Sequence, residues 1–190
     1  MEHTVSEAEA LALARGGDAS AFGLLVQEHQ QAAFRAAYLV LHDAQAAEDV
    51  AQEGFVRAYR QLHRFREEQP FRPWLLRIVI NLAMNETRRR KRGLALLERF
   101  GRQPLRQEPG PERVAMATEA SRQVWEAINR LGEDDRVILY LRYFLELSEA
   151  DMARAIGKAP GTVKSRLHRA GRRLRAVIEK EYPHLRMPDD

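Results

Sequence analysis

The stretch from residue 147 to residue 175 constrains the fold more than any other part of this 190-residue chain. Ser148, followed three residues later by Asp151, resembles a capping box, which opens a helix by satisfying backbone N–H groups at its start. Gly157 suits a left-handed C-terminal cap, and Pro160 suits the first position of a new helix. The stretch therefore predicts two helices separated by a tight turn.

The second of these helices has two chemically distinct faces. Its apolar face, which is expected to pack inward, consists of Val163, Leu167, Ala170, Leu174 and Val177. The opposite face and its flanks are small and polar first and cationic further along, and they comprise Gly161, Lys164, Ser165, Arg166, His168, Arg169, Arg172 and Arg173. A solvated surface helix carries similar cations, but the capped helix and glycine turn before it favour a helix-turn-helix. In that motif the early residues of the second helix reach base edges in the major groove, and later cations hold phosphates.

The distribution of charge also indicates a polyanionic partner. The formal net charge is only +4 and the sequence pI is about 9.7, but basic residues cluster at 88–92 and 158–175. The chain has no cysteine, which excludes disulfides and thiolate zinc sites and favours a reducing cytosol. Because no apolar run approaches the roughly 20 residues that span a bilayer, we expect no membrane insertion and a cytoplasmic location.

The N-terminal part of the chain reads as a compact helical unit. Residues 1–17 are polar and alanine-rich and predict a frayed or short helix. Asp18 and Asp43 are candidate caps of two amphipathic helices. A third helix is expected to start near Pro73 and to continue through Arg92. Short loops between these helices favour a small bundle.

The chain changes character after the third predicted helix. Residues 93–113 carry three prolines and several glycines among charged residues, which is typical of a linker. Beyond it, four helical patterns follow one another and end in the helix-turn-helix. The sequence therefore predicts an all-α protein of two small helical domains, one of three to four helices and one of four, joined by a flexible linker. The predicted boundaries are residues 1–92, 93–113 and 114–190.

A polar stripe runs along the third predicted helix. At 100° per residue its members fall within a wedge of about 80°, and they are Arg77, Asn81, Asn85, Arg88 and Arg92. Asparagine inside a helix costs several tenths of a kcal/mol relative to alanine, so two on one line require a reason. Amides pair with nucleobase edges as donor and acceptor, and cations hold the backbone of the same strand. The stripe predicts a surface that reads single-stranded DNA, although residues 88–92 also suit a solvated helix end.

Aromatic residues flank the loop before this helix. Phe65 precedes residues 66–70, and Phe71 and Trp74 follow them. An aromatic side chain beside a polar stripe can stack on an unpaired base. We favour core positions for Phe71 and Trp74 and expect base capture in loop 66–70.

Four motifs in order carry a resemblance to a known family. They lie at residues 47–60, 71–81, 141–144 and 161–167, where the chain reads AEDVAQEGFVRAYR, FRPWLLRIVIN, LRYF and GTVKSRL. Over nearly all of residues 18–178 the sequence resembles bacterial RNA polymerase sigma factors of the extracytoplasmic-function (ECF) group. The resemblance implies a two-domain initiation factor that binds core RNA polymerase and promoter DNA, with an anti-sigma factor as its regulator.

The resemblance also implies a role for each candidate residue. The N-terminal domain would bind the melted −10 element through Asn81, as a base contact, and Arg77, Asn85, Arg88 and Arg92, with the expelled base held by loop 66–70. The C-terminal domain would bind the −35 duplex through Gly161, Thr162, Lys164, Ser165, Arg166, His168, Arg169, Arg172 and Arg173. Core polymerase would be contacted at its β′ clamp helices, through Asp49, Gln52 and Glu53, and at its β flap.

Three other classes of protein compete with this interpretation. A helix-turn-helix regulator that acts without core polymerase would also have the clustered arginines, but it would not need the acidic face or the asparagine stripe. A pure interaction protein, such as an anti-sigma factor, does not explain the cationic helix. An enzyme is not expected, since the six histidines lack metal-ligand spacing and no nucleophile and base are placed together. We therefore expect no catalytic residue, metal or cofactor.

Overall fold

The computed structural model describes residues 5–66, 68–98 and 119–185. Over these ranges the chain is helical and contains no β-strand, as predicted. The helices are α1 (Glu7–Arg15), α2 (Ala19–Leu41), α3 (Ala44–Gln61), α4 (Phe71–Glu98), α5 (Glu119–Asn129), α6 (Glu133–Tyr143), α7 (Glu149–Ile156) and α8 (Pro160–Glu181), with 3₁₀ turns at Leu62–Arg64 and Pro183–Leu185. Among the described helices, none has the combination of length and apolar character needed to traverse a membrane.

Helices α1 to α4 form the N-terminal bundle, in which α2 packs against the other three. The predicted caps are confirmed: the Asp18 carboxylate accepts from the Ser20 and Ala21 N–H groups, and the Asp43 carboxylate accepts from Ala46. Helix α1 also has a full capping box and buries three small or apolar residues on the bundle. The predicted short N-terminal helix is therefore part of the packed structure.

Helix α4 is longer at both ends than the sequence pattern indicated. It begins at Phe71 instead of near Pro73, and it continues to Glu98, six residues past Arg92 and into the segment predicted as linker. Leucine and alanine at positions 94–97 are strong helix formers that outweigh the roughly 1 kcal/mol cost of Gly93. The expected start of the linker at residue 93 is corrected accordingly, and its remainder lies outside the described residues.

Helices α5 to α8 form the C-terminal bundle. Its core includes Trp125, Ile138 and Val163, all less than 5% exposed. Gly132 caps α6 without a side-chain hydrogen bond, and three acidic residues follow in the first turn of that helix. Negative charge is stabilised there by the partial positive charge of the helix N-terminus.

The two bundles pack against each other. Helix α7 lies on α4, and α6 lies on α2, so that buried residues of both bundles form one continuous core. Where α6 packs on α2, the C-cap residue of α2 is His42, in the left-handed conformation. The charges of Arg136 and Glu133 act on its side chain. Burial and the Arg136 charge lower the pKa of His42 to about 4. No sequence pattern had indicated this packing.

Candidate nucleic-acid and polymerase interfaces

The predicted helix-turn-helix is confirmed in its local geometry. The Ser148 hydroxyl accepts from the Asp151 N–H at 3.1 Å and donates to the Asp151 carboxylate at 2.7 Å, so α7 starts where expected. Gly157 has φ +64° and ends that helix. Pro160 then begins α8 after a turn of three residues, because its fixed φ and missing N–H suit a helix start.

Helix α8 turns its predicted apolar face inward. Val163 and Ala170 are fully buried, and Leu167, Leu174 and Val177 pack against the core. Seven of the nine predicted duplex contacts are exposed: Gly161, Lys164, Ser165, His168, Arg169, Arg172 and Arg173. Thr162 and Arg166 are half-buried. The polar face of α8 is thus accessible to a ligand along its whole length.

Two carboxylates lie against the cations of α8. The Arg173 Nη1 atom donates to Asp135 Oδ2 at 2.5 Å, and Arg166 Nη1 lies 3.6 Å from Asp134 Oδ2. Arg169 and Arg172, in contrast, have no carboxylate partner among the residues that the structure describes. The sequence predicts the acidic turn only as a helix start and does not indicate these ion pairs, since the paired residues are more than 30 positions apart.

The five predicted single-strand contacts are all exposed on α4. Asn85 Oδ1 accepts from Arg88 Nη1 at 3.2 Å, and Arg92 Nε donates to the Arg88 carbonyl at 3.3 Å. At the other end of the stripe, a Cβ placed on Gly157 would lie 3.1 Å from the Arg77 Nη2 atom. The start of the stripe therefore lies beside the turn of the helix-turn-helix.

Within the basic cluster at 88–92, two arginines form ion pairs with carboxylates. Arg89 donates to Glu86, while Arg90 bridges Glu86 and Asp43. The Arg89 and Arg90 hydrogen bonds hold the pKa of the Glu86 carboxyl below its ordinary value, and the Ala46 N–H, with Arg90, does the same for Asp43. Arg89 and Arg90 thus pair with carboxylates, whereas Arg88 and Arg92 are hydrogen-bonded within the stripe.

The aromatic residues beside the loop are mainly core residues, as favoured by the sequence analysis. Phe71 is fully buried and Phe65 is 2% exposed. Their ring centroids lie 5.8 Å apart, and that of Trp74 lies 5.1 Å from Phe65. Trp74 is half-buried, so one edge of this cluster remains accessible, while residue 67 of the loop lies outside the described residues.

The acidic face of α3 is exposed and has an apolar extension. Asp49, Gln52 and Glu53 are all exposed, and Glu53 accepts from Arg57 at 2.6 Å. One turn further along the same helix, Val56 is 43% exposed and Tyr59 is 39% exposed. The sequence analysis did not single out these two residues, although an exposed valine one turn beyond an acidic pair is detectable from helical spacing.

An open cleft of about 610 Å³ lies where the two bundles meet. It brings Arg88 of the α4 stripe to the same space as three arginines of α8, and the acidic first turn of α6 forms one wall. The α8 arginines are Arg166, Arg169 and Arg173. Both predicted DNA-binding sets therefore contribute to one cleft, which the sequence analysis did not predict.

One group of side chains in the described residues offers metal-ligating atoms close together. The ligand atoms of Glu7, Glu28 and His29 lie within 4.8 Å of one another. His29 Nε2 is 2.8 Å from a Glu7 carboxylate oxygen, a hydrogen bond that joins α1 to α2. The structural role of His29, which links α1 to α2, explains why a histidine is buried at this position.

Comparison with known proteins identifies the family. The chain matches Sigma-70 region 2 over residues 25–93 and Sigma-70 region 4 over residues 121–174. It is 40% identical to the RNA polymerase sigma-H factor of Pseudomonas aeruginosa, over 86% of this chain and 87% of that protein. It is 31% identical to the ECF RNA polymerase sigma factor SigW of Bacillus subtilis, over 85% and 91% of the two chains.

Solved structures share the fold. The chain is similar to CnrH in its complex with the cytosolic domain of CnrY, with a TM-score of 0.68, 24% identity and coverage of 92% of this chain and 98% of the other. It is also similar to the sigma factor RpoE in complex with the anti-sigma factor NepR from Bartonella quintana, with a TM-score of 0.64, 24% identity and coverage of 84% and 98%.

The match to both regions and the extent of the similarity define the class of protein: the chain belongs to the sigma-70 family of RNA polymerase sigma factors, within its ECF group. Members of this class act with core RNA polymerase in promoter-specific initiation. The competing interpretation, a helix-turn-helix regulator that acts without polymerase, is not favoured because region 2 is present beside the helix-turn-helix.

Proposed function

We propose that this sigma factor divides promoter recognition between its two bundles. Residues 1–92 bind core polymerase and the melted −10 element, the segment that follows α4 links the bundles up to residue 113, and residues 114–190 bind the −35 duplex. The supporting observation is that two separate polar faces, one on α4 and one on α8, are exposed while the opposite faces of both helices are buried. One face carries amides and the other carries mainly cations.

On α4 the assigned base contact is Asn81. Its amide is exposed, whereas the Asn85 carbonyl oxygen already accepts from Arg88. Arg77, Arg88 and Arg92 support the strand backbone as charged donors. Loop 66–70 receives the expelled base beside the half-buried edge of Trp74, which offsets the few kcal/mol that unstacking costs. Promoter opening is thereby driven by binding energy.

On α8 the residues near the start of the helix read bases and the later cations hold the backbone. Lys164, Ser165 and His168 are exposed and face away from the core, as base readers require. Gly161 and Thr162 allow close approach of the helix end to the groove, while Arg166, Arg169, Arg172 and Arg173 form the phosphate set. Such a set makes binding steeply dependent on salt.

Core polymerase is bound by the exposed face of α3. Asp49, Gln52 and Glu53 supply the polar contacts to the β′ clamp helices, and Val56 extends them with apolar surface. Aliphatic surface of this kind gains free energy on burial, at roughly 25 cal/mol per Å². The C-terminal bundle makes a second contact at the β flap.

Regulation and location follow from the family. An anti-sigma factor is proposed as the inhibitor, because the structurally similar sigma factor RpoE is found in complex with the anti-sigma factor NepR. The location is the cytoplasm, where core polymerase is found. The chain itself supplies recognition and no catalytic group, since the polymerase performs the chemistry.

The proposed function is tested by binding to purified core polymerase and by run-off transcription on a library of genomic fragments. We expect a stable complex and initiation at a small set of fragments. A chain that joins the polymerase but starts no RNA, or that binds DNA without polymerase at operator strength, contradicts the proposal.

The role of Asn81 is tested by Asn81→Ala. The variant is expected to lower open-complex formation, measured by permanganate reactivity of unpaired thymines, by about 5-fold or more, as loss of a base contact worth about 1–3 kcal/mol implies. Binding to core polymerase should not change. Arg89→Ala is the matched control, because Arg89 is exposed on the same helix, lies outside the stripe and pairs with Glu86. Equal loss of polymerase binding and opening would make Asn81 a structural residue.

A further inference from the structure

The first turn of α6 places carboxylates against the cationic side of α8. Asp135 is largely buried, with 16% of its side chain exposed, and it accepts from Arg173 at 2.5 Å. Asp134 is 61% exposed and lies 3.6 Å from Arg166, beyond hydrogen-bond distance. Arg173 is therefore held firmly and Arg166 loosely.

Arg173 belongs to the phosphate set of the proposed function, on which this inference rests. A carboxylate and a phosphodiester both present oxygen pairs to the donor fork of a guanidinium. While Asp135 holds Arg173, fewer donors of the guanidinium are available to a phosphate, and the carboxylate beside it repels the DNA backbone. A cation already neutralised in this way also releases fewer counterions from DNA.

We propose that Asp135 competes with DNA phosphates for Arg173 and so limits the affinity of α8 for duplex DNA, and that Asp134 acts more weakly on Arg166. The pair lowers the affinity of α8 for any duplex without touching the side chains that face base edges. Lys164, Ser165 and His168 then carry a larger share of the binding free energy. The preference of α8 for one base sequence over another is left unchanged, because a phosphate contact contributes about equally to every sequence.

The contrast within α8 supports this role. Arg169 and Arg172 have no carboxylate partner in the described part of the chain, so their charge is available to the backbone. Arg173 differs from them in its partner and not in exposure, since 58% of its side chain remains accessible. The carboxylates also face the cleft that receives Arg88, so they lower the positive potential between the two DNA-binding faces.

The test measures binding of the full chain to a mixed-sequence duplex by fluorescence anisotropy between about 50 and 200 mM salt. Asp135→Asn is expected to bind about 3- to 10-fold more tightly at the lowest salt, with a salt slope steeper by about 0.9, the value for one added phosphate contact. Its advantage over the wild type should shrink about 3.5-fold across this range, which follows from the same slope. Discrimination between promoter and mixed-sequence duplex should not change, because the added phosphate contact is independent of base sequence.

Glu133→Gln is the matched control, because it removes the same charge from the same helical turn. The charge of Glu133 acts on His42 and Arg136. A second control places Asp135→Asn in an Arg173→Ala background. If Asp135 acts through Arg173, the gain in affinity disappears in that background.

Two outcomes overturn the proposal. A gain that persists without Arg173, or that Glu133→Gln reproduces, is a general charge effect. A loss of affinity in Asp135→Asn makes the aspartate a support that orients Arg173 toward DNA. Neither outcome depends on polymerase: if α8 is not the duplex-binding helix at all, Arg169→Ala leaves DNA binding unchanged, and the proposed function fails instead.

Discussion

At the scale of single residues, the availability of a charge depends on its partner as much as on its exposure. Arg169 and Arg173 are both exposed on α8, one turn apart, and both were predicted as phosphate contacts. Only Arg173 is paired, with an aspartate 38 positions earlier in the chain. Helical spacing places a side chain on a face, but it does not show which other element neutralises that face.

The unpaired cation gives a direct prediction. Arg169→Ala is expected to weaken promoter binding and to flatten the salt slope by about 0.9, because one phosphate contact is lost. Binding titrations at several salt concentrations measure this slope. Arg173→Ala is the comparison and should change the slope much less, since Asp135 already neutralises that side chain. An unchanged slope in Arg169→Ala removes this arginine from the phosphate set.

At the scale of elements, the close approach of α3 to α4 positions the polymerase-binding face relative to the stripe. Gly54 of α3 is buried against Val79 of α4, and a Cβ at Gly54 would lie 2.6 Å from the Val79 Cγ2 atom. A real Cβ does not tolerate this distance, so the two helices can only approach as they do with glycine at this position. The glycine costs helix propensity but allows the packing.

Gly54→Ala is therefore expected to destabilise the chain by about 1–2 kcal/mol, because overpacking outweighs the gain in helix propensity. Urea unfolding measures the effect. Adding Val79→Ala removes the obstructing methyl groups, and the double variant should lose less stability than the sum of the two single losses.

Gly23→Ala is the matched control, since no atom lies within 4 Å of a Cβ at that mid-helix position of α2. It should stabilise the chain by up to about 1 kcal/mol. Stabilisation by both alanines would contradict the close helix contact.

At the scale of the whole molecule, the two bundles share one core, and a histidine lies at their contact. His42 is held neutral by burial and by Arg136, and its Nε2 atom has no hydrogen-bond partner among the described residues. Glu133 acts in the opposite direction but has the smaller effect. The contact between the bundles therefore depends on an uncharged imidazole.

Acidification is predicted to weaken this contact. The pKa of His42 is about 4 when the bundles are packed, below its ordinary value of 6.5. Between pH 4 and pH 6.5 the packed state therefore binds fewer protons than the separated state. The stabilisation is complete above pH 6.5 and is lost as the pH falls toward 4, by on the order of 1–2 kcal/mol at pH 5. The chain has no cysteine, so one cysteine can be introduced in each bundle and labelled with a donor and an acceptor dye. Energy transfer between the dyes then reports the separation of the two bundles.

His42→Asn is the control for the pH response, because asparagine tolerates the left-handed φ of 53° and does not titrate. We expect the acid-induced loss of energy transfer to be smaller in this variant than in the wild type. The same response in both chains would show that another group senses the pH.

Much of this protein was determined by interactions between residues close in sequence. The caps at Asp18, Asp43 and Ser148, the turn at Gly157 and the buried stripe of α8 all depend on contacts within about one or two helical turns, which the sequence displays directly. Four ordered motifs then sufficed to predict the family. The extension of α4 beyond residue 92 was not predicted, because Gly93 disfavours a helix and the helix propensities of the residues after it are each small.

The tertiary structure alone decided which of the predicted side chains are available and how the bundles meet. The ion pair of Asp135 with Arg173, the contact of Gly54 with Val79 and the burial of His42 all join residues that are far apart in the chain. No local periodicity records such contacts, because they depend on how helices that are each complete in themselves come to pack together. The sequence thus determined the faces of the helices, and only their packing decided what each face can bind.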